Sequence, residues 1–366
     1  MDGSSISLVI LIASLMVAAT PILLAALGEL VVERAGVLNL GVEGMMITGA
    51  ICGFIVGVES GSPVLGFAGA AIGGALLSLV FGFLTQVLMA NQVASGLALT
   101  LFGLGLSALL GQGYQGVRGP TSMRLDLPVF SDLPIVGRIL FSHDLMVYVG
   151  LALTVAVWWM LKYSRAGLVL RAVGENHDAA HALGYKVVRI RLMAIAIGGA
   201  CAGLGGAYIS LVRVPQWTEG MTAGAGWIAL AIVVFASWKP VRALLGAYLF
   251  GGVTVLQLNL QAASLPLVEV LIWLSTATAV ILLIVYGLLR RSGRQESASG
   301  WIKCAIVFAI FAAITAIFNS IFGINLFRNE TLWLSMSPYL ATIIVLVVMS
   351  AGRAPGSLGR TFHASS

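Results

Sequence analysis

An all-α, polytopic transmembrane bundle is the fold class this sequence predicts, and three observations carry it. First, 59% of the 366 residues are hydrophobic and only 9% are charged, with a mean hydropathy of +1.03. A soluble domain of this size cannot cover so much apolar surface with so few charges. Second, the apolar runs are long and do not alternate, which fits helices rather than the strands of a membrane barrel. Third, glycine is abundant at 44 residues, and in lipid glycine lets helix backbones approach closely.

In chain order the expected spans are 6–28, 42–58, 63–89, 92–111, 145–161, 192–212, 225–238, 242–262, 268–289, 302–324 and 336–350. Spans 42–58 and 225–238 are short and read as broken or re-entrant helices, which makes about 9–11 crossings at roughly 20 residues each. The stretch before the first span carries Asp2 and no basic residue. The first span therefore reads as a retained helix rather than a cleaved signal. Cys52, Cys201 and Cys304 all sit inside apolar runs without metal spacing, so packing is their expected role.

Basic residues mark the cytoplasmic side of a membrane protein. The segment 162–191 holds Lys162, Arg165, Arg171, Lys186, Arg189 and Arg191, which places it inside. Alternation then puts 15 of the 20 basic residues inside with 6 of the 14 acids, and leaves 5 basic residues outside with 8 acids. Lys239, Arg242, Arg290, Arg291, Arg294, Lys303, Arg353 and Arg360 fall inside without having been used to set the orientation. The N-terminus is expected outside and the C-terminus in the cytoplasm. The one long outer loop, 112–144, carries Pro120, Pro128 and Pro134 and balanced charge. A loop of that length is either a lid or docking surface or a solvated connector.

Two glycine-broken stretches lead into the short spans: "ERAGVLNLGVEGMM" (33–46) and "GMTAGAGW" (220–227). Short, Gly-interrupted segments at corresponding places in two halves point to a transporter's substrate region, and their opposite crossing directions suit an inverted repeat. Polar groups at membrane depth are costly and so are functional candidates. Here they are Asn39, Glu43, Asn91, Gln92, Gln257, Asn259 and Gln261, of which Glu43 alone is ionisable. A path lined by amides suits a neutral, hydroxyl-rich solute better than an ion. The competing reading of each amide is an interhelical hydrogen bond.

Some chemistry is missing. Lys162, Lys186, Lys239 and Lys303 follow Leu, Tyr, Trp and Ile, so there is no Gly-Lys phosphate loop and any ATP must be bound by another chain. His177 and His181 share one helix face, but no third ligand and no HExxH glutamate accompany them. No nucleophile, base and orienter occur together, so the chain does not read as an enzyme.

The most polar stretch is "RAVGENHDAAHALGYKVVRIR" (171–191). Asn176 is the expected N-cap of a two-turn helix, Asp178 lies in its first turn, and Gly184 ends it at C′. An isolated helix that short is marginal in water. It persists only if packed, either on its own protein or in a partner's groove.

The ordered set of stretches "GELVVERAGVLNLGVEGMMITGA" (28–50), "NQVASGLALTLFG" (91–103), "LRAVGENHDAAHALGY" (170–185), "GMTAGAGWIALAIVVFASWKPVRALLGAYLFGG" (220–252) and "SPYLATIIVLVVMSAGRAPGSLGRTF" (337–362) resembles the membrane permease of ABC importers for ribose-like simple sugars and nucleosides. It is most similar to the shorter permease of nucleoside importers that work with a basic-membrane-protein-type lipoprotein. The resemblance implies a single permease domain over 1–366, with 112–144 as an extracytoplasmic loop and 162–191 as the cytoplasmic segment that couples to an ATPase. Gly174, Glu175, Asn176, Asp178, Ala179, Ala182 and Gly184 are then the ATPase-coupling residues. His177 and Tyr185 stand where the family pattern commonly has Pro and Ile. Residues 36–46 are expected beside the translocation pathway. The implied partners are an ABC ATPase subunit carrying ATP and Mg, a second homologous permease forming a heterodimer, and an extracytoplasmic substrate-binding lipoprotein, in a bacterial inner membrane. Nucleosides are the expected cargo, with a ribose-like sugar as the alternative. An ion-coupled secondary transporter is a weaker reading that would have to run on Glu43 and Glu269. One departure is the insertion after "LQLNLQAA" (256–263): 269–330 adds two apolar runs and "RRSGRQ" (290–295), an extra helical hairpin relative to the family.

Overall fold

The computed structural model describes residues 8–120, 124–126, 142–262 and 354–362, with single positions between 275 and 340. Apart from those single positions, the expected spans 268–289, 302–324 and 336–350 and the hairpin 269–330 lie outside the described residues, as do Glu269, Cys304, most of the 112–144 loop and the side chain of Gln261. The chain divides into two compact units, Met1–Val255 with Tyr339–Ser366, and Leu256–Pro338. Of the second, the end of the helix Pro240–Ala262 and isolated helical positions are described.

The helices are α1 (Leu8–Arg34), α2 (Val42–Ser60), α3 (Pro63–Gly82), α4 (Gln92–Gly111), α5 (Leu145–Tyr163), α6 (Arg165–Glu175), α7 (His177–Ala182), α8 (Val187–Tyr208), α9 (Ala225–Phe235) and α10 (Pro240–Ala262). A π-helical turn extends α3 over Phe83–Val87 and another extends α8 over Ile209–Arg213. Seven of these helices are long and apolar enough to cross a membrane. Each expected span up to 262 overlaps one of them or α9, but α1 runs on to Arg34 rather than ending at 28, α8 begins at Val187 rather than 192, and α9 ends at Phe235 rather than 238. At 1.5 Å per residue the 11-residue α9 reaches only about 16 Å, roughly half the hydrocarbon core. That is what its short apolar run predicts. The charged segment 162–191 is more ordered than the sequence suggests. Ser164 Oγ accepts from Gly167 N at 3.0 Å to start α6, an amphipathic helix that buries Leu170 and Val173 and exposes Leu168.

The core forms where α8 packs on α1, α2 and α3. Glycines set that spacing. A Cβ on Gly49 would lie 2.2 Å from Gly203 Cα, and one on Gly206 would lie 1.9 Å from the Met46 carbonyl oxygen. Without side chains there, the backbones meet and bury Met45, Met46, Ile47, Phe54 and Tyr208 completely. Lipid tails are as apolar as leucine, so this close van der Waals packing, rather than water exclusion, holds such helices together. The outward faces of α3, α4 and α5 stay apolar and exposed at Leu76, Leu101, Val155 and Trp159. A short antiparallel pair, β1 (Arg124–Asp126) and β2 (Ser142–Asp144), lies within the long loop, with Arg124 opposite Asp144. The loop's start is tied to the stretch after α8 by Gly119 N donating to the Pro215 carbonyl at 2.9 Å.

Candidate functional site

Two polar clusters stand out against this apolar frame. The first surrounds the connector between α1 and α2, where "ERAGVLNLGVEGMM" and "GMTAGAGW" meet. Glu43, in the first turn of α2, accepts from the Thr222 hydroxyl and from Gly226 N, both at 2.8 Å. Gly226 belongs to the first turn of α9, whose own cap residue Gly224 offers no side chain. The Glu43 carboxylate therefore fills the place a local capping residue normally occupies. The approach requires glycine, because a Cβ on Gly226 would sit 2.6 Å from the Glu43 backbone.

Asn39 is buried beside it. Its Oδ1 accepts from Gly41 N at 3.0 Å and its Nδ2 donates to Glu29 Oε2 at 3.0 Å. Gln92 Oε1 accepts from Leu38 N at 2.8 Å, and the Thr100 hydroxyl donates to the Leu40 carbonyl at 3.1 Å. Among the described residues, Glu29 Oε1 and Gln92 Nε2 are buried without a hydrogen-bond partner. Asn39, Glu43 and Gln92 thus share one region. Asn91 is exposed and caps α4, accepting from Ala94 N at 3.0 Å. Gln257 is half-buried on α10, in the second unit.

Glu33 and Arg34, at the end of α1, both bind Trp238. The indole N–H donates to Glu33, and the Arg34 guanidinium donates twice to the Trp238 carbonyl, at 3.1 and 2.9 Å. Ser237 and Trp238 have φ of +49° and +56°, a left-handed pair that non-glycine residues hold only when the surroundings enforce it.

The second cluster is α7 and what holds it. Asn176 Oδ1 accepts from Ala179 N at 3.0 Å as the N-cap. At the other end Gly184 N donates to the His181 carbonyl at 2.8 Å and Tyr185 N to the Ala180 carbonyl at 3.2 Å, the paired bonds of a Schellman motif, with Gly184 at φ +88°. Glu175, Asn176, Asp178, Ala179, Ala182 and Gly184 are exposed, whereas Gly174 is buried against the Arg34 carbonyl. The segment 354–362 clasps the buried side. Ser357 N donates to the Gly174 carbonyl at 2.9 Å, and the Ser357 hydroxyl accepts from His177 N at 3.1 Å. Phe362 lies edge-on to both His177 and His181, with ring centroids 5.5 and 5.1 Å away. The two imidazoles therefore flank a phenyl ring. Among the described residues no group of His, Cys, Asp or Glu could hold a metal.

Behind α7, Arg191 is fully buried and donates to the His177 imidazole. Burial, with the charge of Arg191 and further that of Arg360, pushes the His177 imidazole below its ordinary range, while Asp178 pulls the other way. A polar cleft of about 280 Å³ opens between α7 and the tail, lined by Glu175, Asp178, Ser357 and Arg360 among others.

Sequence reasoning found the caps of α7 and the Asn39–Glu43–Gln92 region. It passed over Glu29, Gln86, Arg191, Thr222, Trp238 and Ser357. Glu29 and Glu33 did leave a signal: two carboxylates one helical turn apart in an apolar run. Arg191 left none, since it counted as one more loop charge.

The family model for the permease component of branched-chain amino acid transport systems matches residues 11–286. A Haloferax volcanii protein, provisionally named a glucose ABC transporter permease, is 46% identical over 254 residues, 68% of this chain and 77% of that one. A guanosine ABC transporter permease of Bacillus subtilis is 33% identical over 254 residues, covering 66% and 80%. A nucleoside ABC transporter permease of Lactococcus lactis is 30% identical over 256 residues, covering 67% and 81%. No solved structure matches the chain.

Proposed function

This chain belongs to the branched-chain amino acid transport system / permease component family of ABC-transporter permeases, and from that premise we propose that it is the translocation subunit of an ATP-driven importer of nucleosides. A separate ATPase subunit binds ATP and Mg. A second homologous permease completes the pathway, and an extracytoplasmic lipoprotein delivers the solute. The chain sits in the bacterial cytoplasmic membrane with α7 and the C-terminus inside.

The observation that carries this reading is α7. In a bundle of apolar, membrane-length helices, one two-turn polar helix is closed at both ends and exposes a small face of Ala179 and Ala182 flanked by Glu175 and Asp178. A helix that short holds its place by packing and caps, and its small face suits a groove on the ATPase. Closure of two ATPase subunits around ATP would then move α7 and switch access to the pathway. The buried Asn39 and Glu43 lie at the glycine-broken start of α2, Glu43 also binds that of α9, and Gln92 holds Leu38 in the connector between α1 and α2, which supports the region as part of that pathway.

Replacing Ala179 with Arg puts a long charged side chain on the docking face. Co-purification of the ATPase with the variant is expected to fall by about tenfold or more, and wild-type association would refute the docking role. Glucose is the second reading for the cargo, favoured by the 46% identity to the provisionally named glucose permease. Uptake of labelled guanosine and of labelled glucose into proteoliposomes holding the full complex separates the two. Transport by this chain alone, without an ATPase, would instead favour an ion-coupled carrier.

A further inference from the structure

Arg191 is completely buried, yet its guanidinium reaches four separate stretches of chain. It donates to the Ala35 carbonyl at 3.2 Å, Gln86 Oε1 at 3.3 Å, the Arg360 carbonyl at 3.1 Å and His177 Nδ1 at 3.3 Å. These acceptors belong to the α1–α2 connector, the π-helical turn after α3, the C-terminal segment and the first residue of α7. None is a carboxylate. The charge of Asp178 favours the guanidinium, but the groups it bonds are dipoles. Such a buried cation is costly, and well-packed apolar residues would hold the same helices at least as well. Stability alone therefore does not account for an arginine here. Its planar fork has donors in fixed directions and can hold several acceptors in one geometry.

The connector is built around that fork. Gly36 turns at φ +84°, and a Cβ there would come within 3.0 Å of Arg191 Nη2. Immediately beyond lie Asn39, Gly41 and Glu43, and through Glu43 the start of α9. On the other side, His177 opens α7, and Ser357 ties that same residue to the tail whose Arg360 carbonyl Arg191 also holds. We propose that Arg191 is the positioning residue that carries displacement of α7 to the 35–41 connector, and so to the glycine-broken helix starts. This rests on the reading of α7 as the ATPase-docking helix. Packed interiors transmit displacement because they have few voids to absorb it, and the guanidinium is the polar link common to all four stretches.

The test is hydrogen exchange on the reconstituted complex with its ATPase, with and without ATP plus vanadate. In the wild type, exchange is expected to change both in 174–186 and in 35–41. In Arg191→Met the change in 174–186 should persist, while that in 35–41 shrinks by about tenfold. Persistence of both responses in the variant overturns the proposal. Absence of both in the wild type overturns the ATPase-docking reading instead. Should Arg191→Met fail to assemble, Gln86→Leu leaves the guanidinium in place and removes one acceptor. The 35–41 response should then fall about twofold, and an unchanged response likewise overturns the proposal.

Discussion

Helices α7 and α9 are both too short to stand alone, and they are fixed in opposite ways. Helix α7 is polar and exposed, and its neighbours in sequence close it: Asn176 at one end, Gly184 at the other. Helix α9 is apolar and largely buried, and its first-turn acceptor is Glu43, 183 residues away. Solvent explains the contrast. An exposed helix end can fall back on water, so a local cap is a modest gain. A helix end in an apolar interior has no water, so an acceptor must be supplied by the fold. The stretch Gly220–Gly224 contains one candidate side chain, Thr222, and it donates to the same carboxylate.

The largest effect is expected at Glu43. Glu43→Ala leaves the Thr222 hydroxyl and Gly226 N–H buried without an acceptor, at roughly 1–3 kcal/mol each. Thermal unfolding in detergent should show a loss of about 3 kcal/mol, with hydrogen-exchange protection of α9 lost first. Unchanged α9 protection would mean that this helix does not depend on a distant cap.

Asn176→Ala is the matching change on α7. It removes one local cap, worth about 1 kcal/mol, and should raise exchange in 177–182 while leaving global unfolding nearly unmoved. An effect as large as that of Glu43→Ala would erase the distinction between the two helices.

The smallest expected effect is a pH dependence at His177. Its imidazole is held below the ordinary histidine pKa of about 6.5, so the folded clasp prefers the neutral ring, which accepts from Arg191. The resulting protection of α7 should be full above that value. It should weaken as pH falls below it, because the unfolded segment takes up the proton first. Exchange of 174–186 measured from pH 8 to pH 5 checks this. A flat profile would show that the ring's protonation is not linked to the clasp.

Hydropathy and punctuation made much of the fold legible. The start of α2 at Val42, α3 at Pro63, α4 at Gln92 and α5 at Leu145 fall where the apolar runs begin. Local chemistry specifies these points: Asn91 caps α4, and Ser62 precedes Pro63 at the first helical position. The beginning of α8 was less legible. Its first five residues, with Arg189 and Arg191, read as loop because charge outweighs a helical period over so few residues. The family resemblance was legible as well, because it resides in ordered short motifs, and the match over 11–286 agrees with it.

By itself, then, the sequence determined that the chain is a helical membrane permease, where its described spans lie, and how α7 begins and ends. The spans and the ends of α7 depend on residues close together in sequence, and the family on short motifs in a set order. Only the tertiary structure decided that Glu43 caps α9, that Trp238 is held by Glu33 and Arg34, and that Arg191 joins α7 to the connector. Those partners lie 105 to 205 residues apart, save His177. Helix crossings set by close-packed glycines bring them together, and no local pattern encodes that meeting.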